Sequence, residues 1–187
     1  GASNFLWEDF LRLEYEHIVP MLKIESGTFS TPADEVRERL DGALRHARDP
    51  EDKRRVLNEF KDREAYLIDL DHILDPAMDF QRLSSKLTSL AEAVVGAAVA
   101  VVWEEMTARH GEPTTIAGIP ASYAVLGLGK LGGAALGYAS DIELLFVFSD
   151  NGKTAGPDVI TNAEFYEQLF RDATKLIAAK REGIFHV

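Results

Sequence analysis

The chain has 187 residues, 46% hydrophobic and 27% charged, with a formal net charge of −11 and no cysteine. That is enough apolar material for the core of one large domain or two small ones, and the dispersed charges exclude wholesale disorder. The acidic balance argues against a general grip on nucleic acid, whose phosphates demand a basic face, and the lack of cysteine excludes disulfides and thiolate metal sites.

A cytoplasmic setting fits the cysteine usage. No basic segment followed by an apolar core marks a signal peptide at the N-terminus. The longest apolar run, Ala93–Trp103, has 11 residues, too few to span a bilayer.

Up to about His110 the apolar spacing is helical. Phe5, Phe10, Leu13, His17 and Ile18 form one stripe, disturbed at Pro20. Thr31-Pro32-Ala33-Asp34 predicts a cap with proline at the first helical position, and Val36, Leu40 and Leu44 continue that helix. Asp49-Pro50-Glu51 predicts a second start, followed by Val56, Leu57, Phe60, Leu67 and Leu70. Asp79 or Phe80 opens the longest helix, with Leu83, Leu87, Leu90, Val94, Val95, Ala98 and Val102 inward, and Gly111-Glu112-Pro113 stops it. From Thr114 the period changes. Ser122–Leu126 and Ile142–Ser149 predict strands, and Asn151–Pro157 a turn-rich loop. Asn162–Lys180 is amphipathic again, with Phe165, Leu169, Ala173, Leu176 and Ile177 inward, and Ile184–Val187 predicts a third strand. Ending there, in mid-strand, fits a segment of a longer protein. The division is residues 1–113, helical, and 114–187, mixed; the class is α+β with a small mixed sheet.

The stretch between the first two strands carries the chemistry. Gly127-x-Gly129-x-x-Gly132 matches a dinucleotide fingerprint, with Asp150 where a ribose-binding acid could sit. That fold needs a proper helix between its strands, and Leu131–Tyr138 is short and weakened by Gly132, Gly133 and Gly137. A P-loop fails because Leu131 follows Gly129-Lys130. In a third reading Asp141 and Glu143, two residues apart, share one face of a strand end beside the glycine turn. Two hard oxygen ligands suit Mg²⁺, which binds one or two carboxylates plus substrate phosphates. The plainer alternative is two acids on a solvated strand end.

The other polar residues read as structural. His17, His46, His72, His110 and His186 lack metal-ligand spacing, although His186 lies on the expected third strand. Trp7 and Trp103 read as core anchors, and Ser140 has no partner histidine for a hydrolase. Lys53, Arg54, Arg55, Lys61 and Arg63 read as a solvated helix face.

Gly127-x-Gly129-Lys130-Leu131-Gly132-Gly133 followed by Ser140-Asp141-Ile142-Glu143-Leu144 resembles the signature of glutamine synthetase adenylyltransferases, in the DNA polymerase beta-type nucleotidyltransferase superfamily. Leu57–Leu70, Leu87–Pro113 and Arg181–Val187 resemble flanking segments of that family. The resemblance implies a partial nucleotidyltransferase domain over 114–187, with Asp141 and Glu143 as catalytic Mg²⁺ ligands. It implies that Gly129 and Lys130 contact the phosphates of ATP, that Ser140 supports triphosphate or carboxylate geometry, and that Gly132 and Gly133 admit close backbone approach. It implies transfer of AMP from ATP to a tyrosine of glutamine synthetase, or its phosphorolytic removal, with the PII nitrogen-signalling protein engaged through other regions. Neither nucleic acid nor membrane is an expected partner. Three departures stand out. The family usually carries aspartate at the position of Glu143 and an acid at that of Ala135, and its third catalytic carboxylate would fall just beyond Val187. Weak or absent transfer by this chain alone is therefore expected, and an inactive nucleotide-binding regulatory module is the alternative.

Overall fold

A computed structural model describes residues 28–75, 77–137 and 140–178. The helix expected over Phe5–Ile18, the strand expected over Ile184–Val187, Trp7, His17 and His186 lie outside the described residues. The described part is α+β. Three helices, α1 (Val36–Leu44), α2 (Pro50–Leu74) and α3 (Phe80–His110), are followed by β1 (Pro113–Thr114), β2 (Tyr123–Gly127), the single turn α4 (Gly129–Gly132), β3 (Leu144–Phe148), β4 (Lys153–Thr154) and α5 (Asn162–Leu176).

Two of the helix starts follow their cap chemistry. Asp49 accepts from the Asp52 N–H at 2.8 Å with Pro50 at the first helical position, and Asp79 accepts from the Arg82 N–H at 2.9 Å. The start expected at Thr31-Pro32 is displaced, for α1 begins at Val36 and has no side-chain cap. The segment before it is held by α2. The Thr31 N–H donates to Glu64 at 2.9 Å, and the Ser30 N–H donates to Asp71 at 3.1 Å. The Thr31 hydroxyl caps no first turn but accepts from the Arg39 guanidinium at 3.5 Å, and Pro32–Glu35 form a turn closed by Glu35 N–H to the Pro32 carbonyl at 2.9 Å.

The whole predicted inward stripe of α3, from Leu83 to Val102, is buried. By length and composition α3 is apolar enough to cross a membrane, which the run-length expectation did not foresee, and two-thirds of that window is buried inside the fold. It is a core helix. Its buried apolar residues belong to one cluster with Leu40 of α1, Leu57 of α2 and Phe165 and Leu169 of α5.

Strands β2 and β3 form an antiparallel pair in the register Tyr123↔Phe148 through Gly127↔Leu144. Strands β1 and β4 form a second antiparallel pair, β1 just at the stop of α3 and β4 within the loop expected over Asn151–Pro157. One face of the β2–β3 pair packs on α5 and α3. Phe146 stacks on Phe170 with centroids 3.9 Å apart, Phe148 on Tyr166 at 4.9 Å, and Tyr123 on Trp103 at 5.2 Å. Burial raises the phenol pKa of both Tyr123 and Tyr166. On the opposite face Leu126, Leu145 and Val147 are exposed. Helix α5 is fixed at its start by a reciprocal cap between Thr161 and Glu164.

Candidate active site

Everything proposed for chemistry lies at one end of the β2–β3 pair. The chain leaves β2 at Gly127, makes one helical turn, and returns through Ser140-Asp141-Ile142-Glu143 into β3. Three apolar side chains moor this excursion to the core: Leu131 on the turn, Leu136 beyond it, and Ile142 between the two acids. From α3, the buried Ser84 hydroxyl adds a hydrogen bond to the Leu136 carbonyl at 2.7 Å. Sequence reasoning missed Ser84 and Leu136. The available signal was a polar side chain beside Leu83 at the start of an otherwise apolar helical stripe.

The strand begins at Leu144, so both acids stand in the approach to β3 rather than within it. The alternation that places them on one face nevertheless holds, with Asp141 exposed, Ile142 buried and Glu143 exposed. Burying Ile142 is what turns both neighbouring carboxylates outward. Neither accepts a hydrogen bond from the described residues. Their backbone is tied to the turn, because Leu128 N–H donates to the Glu143 carbonyl at 2.8 Å. The Ser140 side chain is buried, and its Oγ accepts from the Gly137 N–H at 2.9 Å. That bond fixes the corner from which Asp141 emerges.

The turn glycines have separate duties. Gly132 packs on the backbone of Gly127, whose carbonyl oxygen occupies the place a Cβ would take, and its N–H bonds the Leu128 carbonyl at 3.0 Å. Gly129 adopts φ +53°, in the left-handed region that favours glycine. At Gly133 a Cβ would make only an ordinary contact, 3.5 Å from the Gly129 carbonyl oxygen, so packing within the chain does not require glycine there. Lys130 is exposed, as is Ala135, where the resembling family carries an acid.

The dinucleotide alternative is overturned. Its two strands would run parallel across a full helix, whereas β2 and β3 are antiparallel and α4 is four residues long. Asp150 instead accepts from the Ile116 N–H at 3.1 Å. Among the described residues no group of three or more His, Asp or Glu side chains gathers as a metal site. Two exposed carboxylates flanking the buried Ile142 next to a glycine-rich turn are a hard-oxygen donor pair, of a kind that fits Mg²⁺ taking its remaining ligands from water and phosphate.

Other candidates resolve structurally. His46 is exposed, while His110 is buried with its Nδ1 2.7 Å from the Asp158 carbonyl. Trp103 is a core anchor, edge-on to Phe165. The basic face of α2 is solvated at Arg54 and Arg55, whereas Lys53 is half-buried; ion pairs run from Lys53 to Glu104 at 2.6 Å and from Arg55 to Glu59 at 2.8 Å. Lys61 departs from that expectation. It is 1% exposed and donates to the Ala178 carbonyl at 2.5 Å, joining α2 to the end of α5. Arg63 is exposed and lies over the Phe60 ring, 5.8 Å from its centroid.

Fold and site together define an α+β protein with a paired-carboxylate end on an antiparallel strand pair, beside a glycine-rich turn. The family model described as glutamate-ammonia ligase adenylyltransferase matches residues 2–184, and the chain belongs to that family. Its relatives include the bifunctional glutamine synthetase adenylyltransferase/adenylyl-removing enzymes of Thioalkalivibrio sulfidiphilus, Methylococcus capsulatus and Aromatoleum aromaticum. The first is 33% identical over 156 residues, covering 82% of this chain and 16% of the relative. The second is 29% identical over 170 residues, covering 90% and 18%. The third is 39% identical over 100 residues, covering 54% and 11%. The chain thus spans less than a fifth of the length of these relatives.

Proposed function

We propose that this chain carries the nucleotide-handling turn of a cytoplasmic enzyme that moves AMP between ATP and a tyrosine of glutamine synthetase, or removes it by phosphorolysis. The observation that carries the proposal is the pairing of Asp141 and Glu143, both turned outward by the burial of Ile142 and tied to the glycine turn through Leu128. Asp141 and Glu143 would hold Mg²⁺, which supplies charge neutralisation for the triphosphate. The chain's own residues position and orient. Ser140 and Ile142 fix the direction of the two carboxylates, Gly132 keeps the turn against β2, and Gly129 and Lys130 line the side a phosphate would approach. Such positioning and electrostatic organisation are the main protein contributions to phosphoryl-type transfer. The PII nitrogen-signalling protein would engage regions outside this chain.

The test uses ATP labelled at the α-phosphate, with glutamine synthetase as acceptor and this segment within its longer protein. Label should reach glutamine synthetase, and Asp141→Asn should reduce its rate about a hundredfold or more, the loss of several kcal/mol of charge stabilisation. Transfer unchanged in Asp141→Asn would sink the proposal. A second reading, a regulatory module that binds nucleotide without turnover, is favoured by the exposed Ala135 where the family has an acid. Mg²⁺-dependent ATP binding without label transfer would select it.

A further inference from the structure

Glu143 reaches back toward the turn. Its Oε2 lies against the Cα of Gly129, so that a Cβ on Gly129 would fall inside the van der Waals shell of that oxygen. The left-handed φ of Gly129, +53°, and the 2.8 Å bond from Leu128 N–H to the Glu143 carbonyl hold the two segments side by side. Among the turn glycines this contact is particular to Gly129. Gly127 faces the Leu131 side chain, Gly132 the Gly127 carbonyl and Gly133 the Gly129 carbonyl.

We infer that Gly129 is a positioning residue for the Glu143 carboxylate, its bare Cα giving the longer acid the room it needs beside the turn. The inference rests on the reading of Asp141 and Glu143 as divalent-cation ligands, and adds to it a coupling between position 129 and the length of the acid at 143. A glutamate carries its carboxylate one methylene further from the backbone than an aspartate, and here that extra reach ends at Gly129. A side chain at 129 would meet the flexible end of Glu143, so the carboxylate would move and the turn would stay. A shorter acid would not extend so far, and a side chain at 129 would then leave it undisturbed.

Mn²⁺ binding to the 187-residue chain, read by the electron paramagnetic resonance of free Mn²⁺ without nucleotide, tests this. Wild type, Gly129→Ala, Glu143→Asp and the double variant form a cycle. Gly129→Ala should weaken Mn²⁺ about tenfold or more beside Glu143, the scale of losing a group that orients a metal ligand. In the Glu143→Asp background the same change should cost less than about twofold. Gly129→Asn, whose side chain tolerates left-handed backbone, should repeat the pattern and separate side-chain displacement from backbone strain. Equal loss in both backgrounds, or no loss in either, overturns the coupling and leaves the cation site standing. Wild type that binds no Mn²⁺, or binding untouched by Asp141→Asn, overturns the cation reading itself and the coupling with it.

Discussion

Asp71 on α2 and Asp141 before β3 are both aspartates working beside a serine, Ser30 and Ser140, yet the fold treats them oppositely. The Asp71 side chain is 2% exposed and collects donors from three directions: the Phe29 and Ser30 N–H groups, the Ser30 hydroxyl at 2.5 Å and Lys86 Nζ at 2.9 Å. Asp141 is exposed and collects none from the described residues. A carboxylate whose lone pairs are filled by its own chain holds structure together. One whose lone pairs face outward on a moored loop remains available to an added cation or ligand. The two ends of this protein therefore use the same functional group for cohesion and, on our proposal, for chemistry.

Exchanging the lesion between the two sites gives the largest expected effects. Asp71→Ala strands Lys86 and the donors of Ser30, and should cost about 3 kcal/mol, roughly 10 °C in Tm for a chain of this size. Mn²⁺ binding to the folded protein should stay within about twofold. Asp141→Asn should do the reverse, abolishing most Mn²⁺ binding while stability stays within about 0.5 kcal/mol, as for an exposed side chain without partners. Calorimetry and Mn²⁺ titration on both variants check this. A cation affinity that falls with Asp71→Ala as far as with Asp141→Asn would erase the distinction.

Ser84→Ala sharpens the comparison on a smaller scale. It removes one buried hydrogen bond to the Leu136 carbonyl, worth about 1 kcal/mol. Because that bond moors the loop carrying Asp141, amide hydrogen exchange over residues 131–137 should rise in this variant and stay unchanged over α2. Exchange that rises equally in both regions would show that Ser84 serves the core at large.

What the sequence reveals follows the same division. The α3 stripe, the caps at Asp49 and Asp79 and the strand pair are legible, because each depends on near neighbours in the chain and on a period. The α1 start falls later than expected: the Thr31 hydroxyl turns to Arg39 instead of capping, in a segment held through the Thr31 N–H by Glu64, 33 residues away, and no local rule contains those bonds. Lys61 looks like surface by composition and is buried because the end of α5 comes to it, 117 residues on. Strands β1 and β4 have two residues each, too few to carry a period. At the site, the spacing of Asp141 and Glu143 around Ile142 is matched by an exposed–buried–exposed alternation, although the strand itself begins only at Leu144. The mooring by Ser84 and Leu136 was not visible, since it joins segments 52 residues apart.

The smallest effect concerns acid stability. Burial works to raise the Asp71 pKa, but the hydrogen bonds from the Ser30 hydroxyl, the Phe29 N–H, Lys86 and the Ser30 N–H outweigh it and hold the carboxyl below its usual range. The folded protein therefore keeps this group ionised at pH values where the unfolded chain, with a pKa of about 3.9, takes up a proton. The stability that Asp71 contributes is fully present above that unfolded value and is lost as pH falls through the lower folded value. Asp71→Asn keeps the shape and cannot ionise. Urea melts of the two proteins should show wild type more stable at pH 7, with the gap closing as pH falls below about 4. If the Asp71→Asn gap held constant from pH 7 to the acid limit, the junction at Ser30 would owe its strength to shape rather than charge, and the opposition between the two aspartates would rest on burial alone.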